Sequence, residues 1–250
     1  MKRDAILNMD VNVTSMAQTV ARIDGWIQNK QSHVVCVSNV HMCMEAYDDP
    51  EFAEIVNSAD KVIPDGKPIA LGLRLLGHDL AEQVRGADIT LSLCDSAEQL
   101  GWKIGLYGGS EEVLAGFKDF LLSEYPNLEI ACAISPPFRE LSTSEDLQMI
   151  EQINASGAQI LFVGLGCPKQ EYWMAAHKDK VNSVMLGVGA VFDFLSGHKK
   201  EAPRWVQVIG MEWFFRLCSE PRRLWKRYFK HNPRFILFFT CQLLKRRFKA

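Results

Sequence analysis

The sequence predicts an α/β fold in three layers, with helices on both faces of a mostly parallel sheet and a helical, basic appendage at the C-terminus. Three observations predict it. Short apolar segments alternate with longer amphipathic ones, several of the apolar segments end in glycine or another small residue, and residues 221–250 hold ten Lys or Arg with no Asp or Glu. The division that follows is a catalytic-sized α/β body at 1–196 and an appendage at 197–250.

Taken in order, the apolar runs read as strands at 33–37 (HVVCV), 61–63, 103–107 (KIGLY), 128–133, 159–163 (QILFV) and 183–188 (SVMLGV). The amphipathic stretches between them read as helices at 15–28, 42–57, 68–76, 86–100, 111–124, 144–154 and 170–178. Three strands run into glycine-rich loops: Gly108-Gly109-Ser110, Gly164-Leu165-Gly166 and Gly187-Val188-Gly189. In open α/β sheets the ligand crevice lies at the carboxyl ends of the strands, so these loops converge there, and a following helix N-terminus offers N–H groups to an anion such as a diphosphate. Tight strand-to-helix turns needed only for folding give the same glycine pattern.

Composition sets further bounds. A chain of 250 residues, 48% apolar and 23% charged, has the make-up of a globular protein and excludes a disordered chain, collagen or a disulfide-stapled miniprotein. Seven cysteines without a CxxC pair argue against a disulfide framework and a structural zinc site, and fit a reducing cytoplasm. Asp4, Asn8, Asp10 and Asn12 interrupt any apolar core of a signal peptide. The apolar run 235–244 (FILFFTCQLL) is about half of the roughly 20 residues that span a bilayer. The net charge of −2 hides an asymmetry: the first 220 residues hold 18 cations against 30 anions, a net −12, and the tail is +10. Its interleaved Trp225, Tyr228, Phe229, Phe235, Phe238, Phe239 and Phe248 are too many for a solvated tail and suit a surface helix on anionic lipid.

Polar residues stand where the pattern predicts the crevice. Asn39 and His41 follow the first strand, Asp65 sits in Pro64-Asp65-Gly66-Lys67-Pro68, and Gln170 and Glu171 open a helix after Gly166-Cys167-Pro168. A carboxylate held at a strand end can take a proton from a hydroxyl, and the same residue in a tight turn can equally be an Asx-turn or cap, so both readings of Asp65 stand on the residues alone. Gln170 and Glu171 fit a pocket or a solvated first turn. His41 reads as a partly buried helix-start residue with no second histidine at metal-ligand spacing, and Cys167 as a small packed thiol, since nothing in the sequence supplies it a base. Asp48-Asp49, inside the expected 42–57 helix, reads as solvated, and no DxD metal site is present.

The order and spacing of these motifs resemble the WecG/TagA/CpsF family, glycosyltransferase family 26, over nearly the whole chain. The resemblance is carried by Asn39, Ala59-Asp60, Pro64-Asp65-Gly66-Lys67-Pro68, Arg85-Gly86, Tyr107-Gly108-Gly109, Gly164 to Glu171, Gly187 to Phe194, Ala202-Pro203, Glu212-Trp213, Arg216-Leu217, Glu220 to Leu224 and Arg227-Tyr228. It implies a Rossmann-like fold and an inverting, metal-independent transferase with no cofactor. The enzyme would move a sugar of the N-acetylmannosamine, N-acetylmannosaminuronic acid or glucose type from a UDP-sugar to a polyprenyl-diphosphate-linked saccharide, at the inner face of the bacterial membrane. It places the catalytic base on Asp65, pocket polar residues on Asn39, Arg85 and Gln170, and C-terminal arginines on Arg216, Arg223 and Arg227. Gly109, Gly166, Glu171 and Asp193 complete the expected substrate contacts. One departure is visible: the family commonly has Thr two residues before the pocket Asn, and Val37 stands there, with Ser38 pointing to the other side of an extended strand.

The competing classes are a nucleic-acid-binding module using the basic aromatic tail, and a Rossmann-like oxidoreductase or other nucleotide-sugar enzyme. The acidic body argues against the first and the missing GxGxxG against the second. The partners expected are therefore the UDP-sugar, the lipid-linked acceptor and the inner-leaflet surface, with no nucleic acid; a homo-oligomer is compatible with the chain.

Overall fold

The computed structural model describes residues 2–248. The chain opens with an antiparallel hairpin, β1 (Arg3–Ile6) and β2 (Met9–Asn12), then α1 (Met16–Gln28). There follow β3 (His33–Ser38), α2 (Val40–Asp48), α3 (Pro50–Ser58), β4 (Lys61–Pro64), α4 (Lys67–Leu75), α5 (Gly86–Leu100), β5 (Lys103–Gly108) and α6 (Glu111–Glu124). The body closes with β6 (Glu129–Ile134), α7 (Thr143–Ser156), β7 (Ile160–Gly164), α8 (Lys169–His177), β8 (Val184–Gly187) and α9 (Val191–Leu195), and the C-terminal segment is α10 (Arg204–Val208), α11 (Glu212–Ser219) and α12 (Pro221–Arg247).

Six strands form one sheet in the order β4-β3-β8-β7-β5-β6, every neighbouring pair parallel. The period-2 alternation of a strand divides its side chains between two cores. On one face lie Val34, Cys36, Leu161, Val163 and Met185, packed with α2, α3, α4, α7 and α8. On the other lie Val35, Val37, Ile160, Phe162 and Leu186, packed with α1, α5, α6 and α9. This is the three-layer, Rossmann-like sandwich that the alternation of segments predicts.

The helix boundaries follow local chemistry. Ser15 with Gln18 and Ser142 with Glu145 form capping boxes, and Gly101 and Gly157 close α5 and α7 in the left-handed conformation. The single helix expected over 42–57 is two: Asp49, extended because Pro50 follows it, caps α3 with its carboxylate accepting from the Glu51 and Phe52 N–H groups. Asp48, at the end of α2, is ion-paired with Arg234 and Lys230 of α12, so this acidic pair is engaged by the fold rather than merely solvated. The β1–β2 hairpin escapes a reading of apolar runs because Asp4, Asn8, Asp10 and Asn12 interrupt it; the Asn12 side chain accepts from Val62 N–H at 2.7 Å and fixes the hairpin to β4.

The basic C-terminal segment lies on the body. Leu224, Phe235 and Phe239 of α12 are buried, and Phe235 and Phe239 belong to the α2–α4 side of the core. Each such side chain contributes about 1.5–3 kcal/mol, whereas an exposed ion pair such as Arg246–Asp4 contributes at most about 1 kcal/mol. Apolar docking therefore holds α12, and the ion pairs set its register. Among the described residues no helix is long and apolar enough to cross a membrane.

Candidate active site

The loops after all six sheet strands open into one cleft of about 940 Å³. Asn39 enters from β3, Asp65 from β4, Gly109 from β5, Pro136 to Leu141 from β6, Gly164 to Gly166 from β7 and Gly187 to Val191 from β8. The close approach depends on glycine: Gly108 has φ +123°, and a Cβ there would lie 2.6 Å from the Gly164 carbonyl carbon. The C-terminal segment supplies the remaining wall through Glu201, Glu212, Arg216, Arg223 and Arg227.

Asp65 is locked at the backbone. Its N–H and that of Gly66 both donate to the Ser38 carbonyl (2.9 and 3.0 Å), and Gln83 donates to the Asp65 carbonyl at 2.7 Å. One carboxylate oxygen, Oδ1, accepts the Gly86 N–H at the start of α5 at 2.7 Å. Oδ2 has no hydrogen-bond partner among the described residues, and the side chain lines the cleft. Burial, reinforced by the nearby Glu212 charge, pushes the carboxyl up to about 6, although the Gly86 N–H, Arg85 and Arg216 favour the anion. A carboxylate tuned this way is ionised at pH 7 and more basic than an ordinary one. The structure thus adds cleft exposure and a raised pKa to the turn geometry that fitted either reading of Asp65.

Cations line the same cleft. Arg85 lines the cleft and bridges Glu201 (2.6 Å), Asp88 (3.1 Å) and Glu212 (3.5 Å), tying α5 to the C-terminal segment. Arg216 lies over the Phe194 ring at 4.9 Å, and Arg223 pairs with Glu220 through two hydrogen bonds of 2.6 and 2.8 Å. Arg227 is pulled below the ordinary guanidinium value by burial, with Arg216 and Arg223 close by. The Nε atoms of Arg216 and Arg227 are buried without partners. Asp193, also in the cleft, is held by Lys199 at 3.0 Å. Arg216, Arg223 and Arg227 thus line one cavity, and two of them, Arg216 and Arg227, keep a buried Nε without a partner.

Asn39 caps α2, its Oδ1 accepting from His41 and Met42 N–H (3.0 and 3.2 Å), which leaves its Nδ2 amide without a partner among the described residues. Val37 lines the cleft, while Ser38 points away and donates to the Ile63 carbonyl at 2.8 Å. Gln170 is buried and lines the cleft: its Oε1 accepts Gly166 N–H at 3.1 Å and its Nε2 donates to Glu171 Oε1 at 2.7 Å. A Cβ on Gly187 would sit 2.9 Å from that amide nitrogen. The solvated first turn that Gln170 and Glu171 also fitted is overturned, since both are buried. Glu171 does not line the cleft; it lies behind Gln170, so direct substrate contact is not available to it in this arrangement. Burial pushes its carboxyl up to about 7, and Oε2 has no partner. The Cys167 thiol is raised well above its ordinary value by burial and by Glu171, consistent with a packed thiol.

His41 also lines the cleft, and burial, with Arg227 and His231 near it, holds it down to about 3, so it is a neutral imidazole. Sequence patterns missed the 136–141 loop and Glu201, which carry no motif and reach the cleft only through the fold; Glu212 belongs to a motif of the resemblance, yet nothing in the sequence marks it as a cleft residue.

The profile of the Glycosyl transferase WecG/TagA/CpsF family matches residues 5–249. The chain is 30% identical over 201 residues to the N-acetylglucosaminyldiphosphoundecaprenol N-acetyl-beta-D-mannosaminyltransferase of Bacillus spizizenii, covering 80% of this chain and 76% of that protein. It is 30% identical over 203 residues to the protein of the same name from Bacillus subtilis, covering 81% and 77%.

Proposed function

The chain belongs to the Glycosyl transferase WecG/TagA/CpsF family and is a glycosyltransferase, and from that premise we propose an inverting, metal-independent transfer from a UDP-sugar to a polyprenyl-diphosphate-linked saccharide. One observation carries the reading: a basic carboxylate with a free oxygen, Asp65, shares a cleft with Arg216, Arg223 and Arg227. The acceptor hydroxyl approaches Asp65 Oδ2 and attacks the anomeric carbon of the donor from the face opposite the diphosphate. As the new C–O bond forms, its proton passes to Asp65, the old C–O bond breaks, and the electron pair leaves on the UDP diphosphate. The arginine trio meets that charge, the task a divalent ion performs in other transferases. Gln170, held by Gly166 and Glu171, defines the floor on which the sugar rests, and Asn39 offers its free amide.

Work at the inner membrane surface is supported by the C-terminal segment. Trp205, Ile209 and Phe229 are 68%, 61% and 74% exposed, and Arg222 and Lys226 of the same C-terminal segment are exposed too, an apolar and cationic combination that suits anionic headgroups. A lipid-anchored acceptor would then reach the cleft with its lipid still in the bilayer.

The test is a donor panel of UDP-N-acetylmannosamine, its uronic acid and UDP-glucose, offered with N-acetylglucosaminyl-diphosphate-polyprenol and without added Mg²⁺ or Mn²⁺. Transfer from one of these donors with inverted anomeric configuration is expected. No transfer from any donor, retained configuration, or a requirement for added divalent ion would each overturn the corresponding part of the proposal.

A further inference from the structure

Three electron-pair donors that lie far apart in sequence meet beside the cleft. His41 and Glu45 stand one turn apart on α2, and His231 comes from α12. Glu45 Oε1 is 3.6 Å from His41 Nδ1 and 3.3 Å from His231 Nε2. One donor atom from each residue falls within 4.8 Å of the other two. Tetrahedral zinc with bonds of about 2.0–2.1 Å separates its ligand atoms by about 3.3 Å, so two of the separations already fit, and the trio closes on an ion by small side-chain rotations.

Chemistry favours an ion over a bare hydrogen-bond cluster. His231 is buried, and His41 Nδ1, the nitrogen that faces Glu45, has no hydrogen-bond partner. Two imidazoles and one carboxylate suit zinc and its neighbours better than magnesium or calcium, which prefer oxygen. Lys230 and Arg234 do not oppose the ion with full charge, because both pair with Asp48. Arg227 does oppose it, and Glu45 supplies the compensating anion.

We propose that His41, Glu45 and His231 bind one Zn²⁺-class ion that pins α12 to the cleft wall. The ion has a structural task distinct from the chemistry at the diphosphate. Arg223, Arg227 and His231 succeed one another at four-residue steps on one face of α12, so an ion at His231 fixes how far the arginines reach into the cleft. Three protein ligands leave a fourth position for water.

The test uses the full chain, stripped with chelator, dialysed against Zn²⁺ and analysed for bound metal, beside Glu45→Gln and His231→Gln. One equivalent is expected in the parent and under a tenth of that in each variant. Zinc should raise the melting midpoint of the parent by about 5 °C and leave the variants unmoved, while all three melt alike without metal. Absence of bound zinc in the parent, or retention of an equivalent in either variant, would overturn the site. A variant that melts early without metal is judged against the other one, and retention by that one alone overturns the proposal.

Discussion

Two carboxyls at the same end of the sheet, half-buried Asp65 and buried Glu171, are both pushed upward, to about 6 and about 7. Their surroundings differ. Asp65 has an N–H on one oxygen, guanidinium groups nearby and its other oxygen free beside the cleft, whereas Glu171 is sealed behind Gln170 with Oε2 unpartnered. A raised pKa thus marks burial at both corners, and access to the cavity separates a group that can exchange a proton with substrate from one that holds another side chain in place.

Substitutions at the two corners should differ most at Asp65. Asp65→Asn keeps shape and the Gly86 contact but removes the base, and transfer should fall about 10³- to 10⁴-fold in kcat with donor binding nearly intact, measured by turnover and calorimetry. A change of less than tenfold would place the base elsewhere. Arg227→Ala is expected to cost about 10²-fold in kcat/KM, since on the proposed mechanism it removes one of three cations that meet the leaving diphosphate. Gln170→Ala should raise KM about tenfold by loosening the floor, and unchanged kinetics would remove Gln170 from the pocket. Glu171→Gln, which can still accept the Gln170 amide, should change kcat by no more than about threefold.

The pH dependence sharpens the same contrast. In kcat/KM, Asp65 should give an acidic limb that falls as pH drops through about 6, and Glu171→Gln should retain that limb. For stability the sign is opposite to that of an ordinary ion-paired carboxylate. Each group holds its proton more tightly folded than unfolded, so its stabilisation is full below the normal carboxylate range and is lost as pH rises through about 6 for Asp65 and about 7 for Glu171. Asp65→Asn should therefore be more stable than the parent at pH 8, by about 1–2 kcal/mol after allowance for its contact with the cleft, and equal to it near pH 3. Denaturant melts at the two pH values check this.

Much of the fold was legible because its signals are local. Six strands and the turn around Asp65 follow from apolar runs, glycines and prolines within a few residues of one another. The boundary at Asp49 was legible in principle from Asp-Pro and was obscured by the continuous amphipathic pattern on either side. The site was less legible where it depends on contact across the chain. Arg85 meets Glu201 and Glu212, and His41 meets His231, a histidine that no spacing rule could connect to it. Glu171 shows the same limit: its neighbour Gln170 lines the cleft and Glu171 does not, a distinction set by the fold and not by residue type.

The far end of α12 is latched to the first hairpin. Gln242 accepts from Leu7 N–H at 2.9 Å and donates to the Ala5 carbonyl at 2.7 Å, and Arg246 reaches Asp4 across a separation of 242 residues. Those contacts form only after nearly every residue between them has been synthesised. On the ribosome, the strands of the sheet emerge before Arg216, Arg223 and Arg227, so the corner around Asp65 can form before the last wall of the cleft is added.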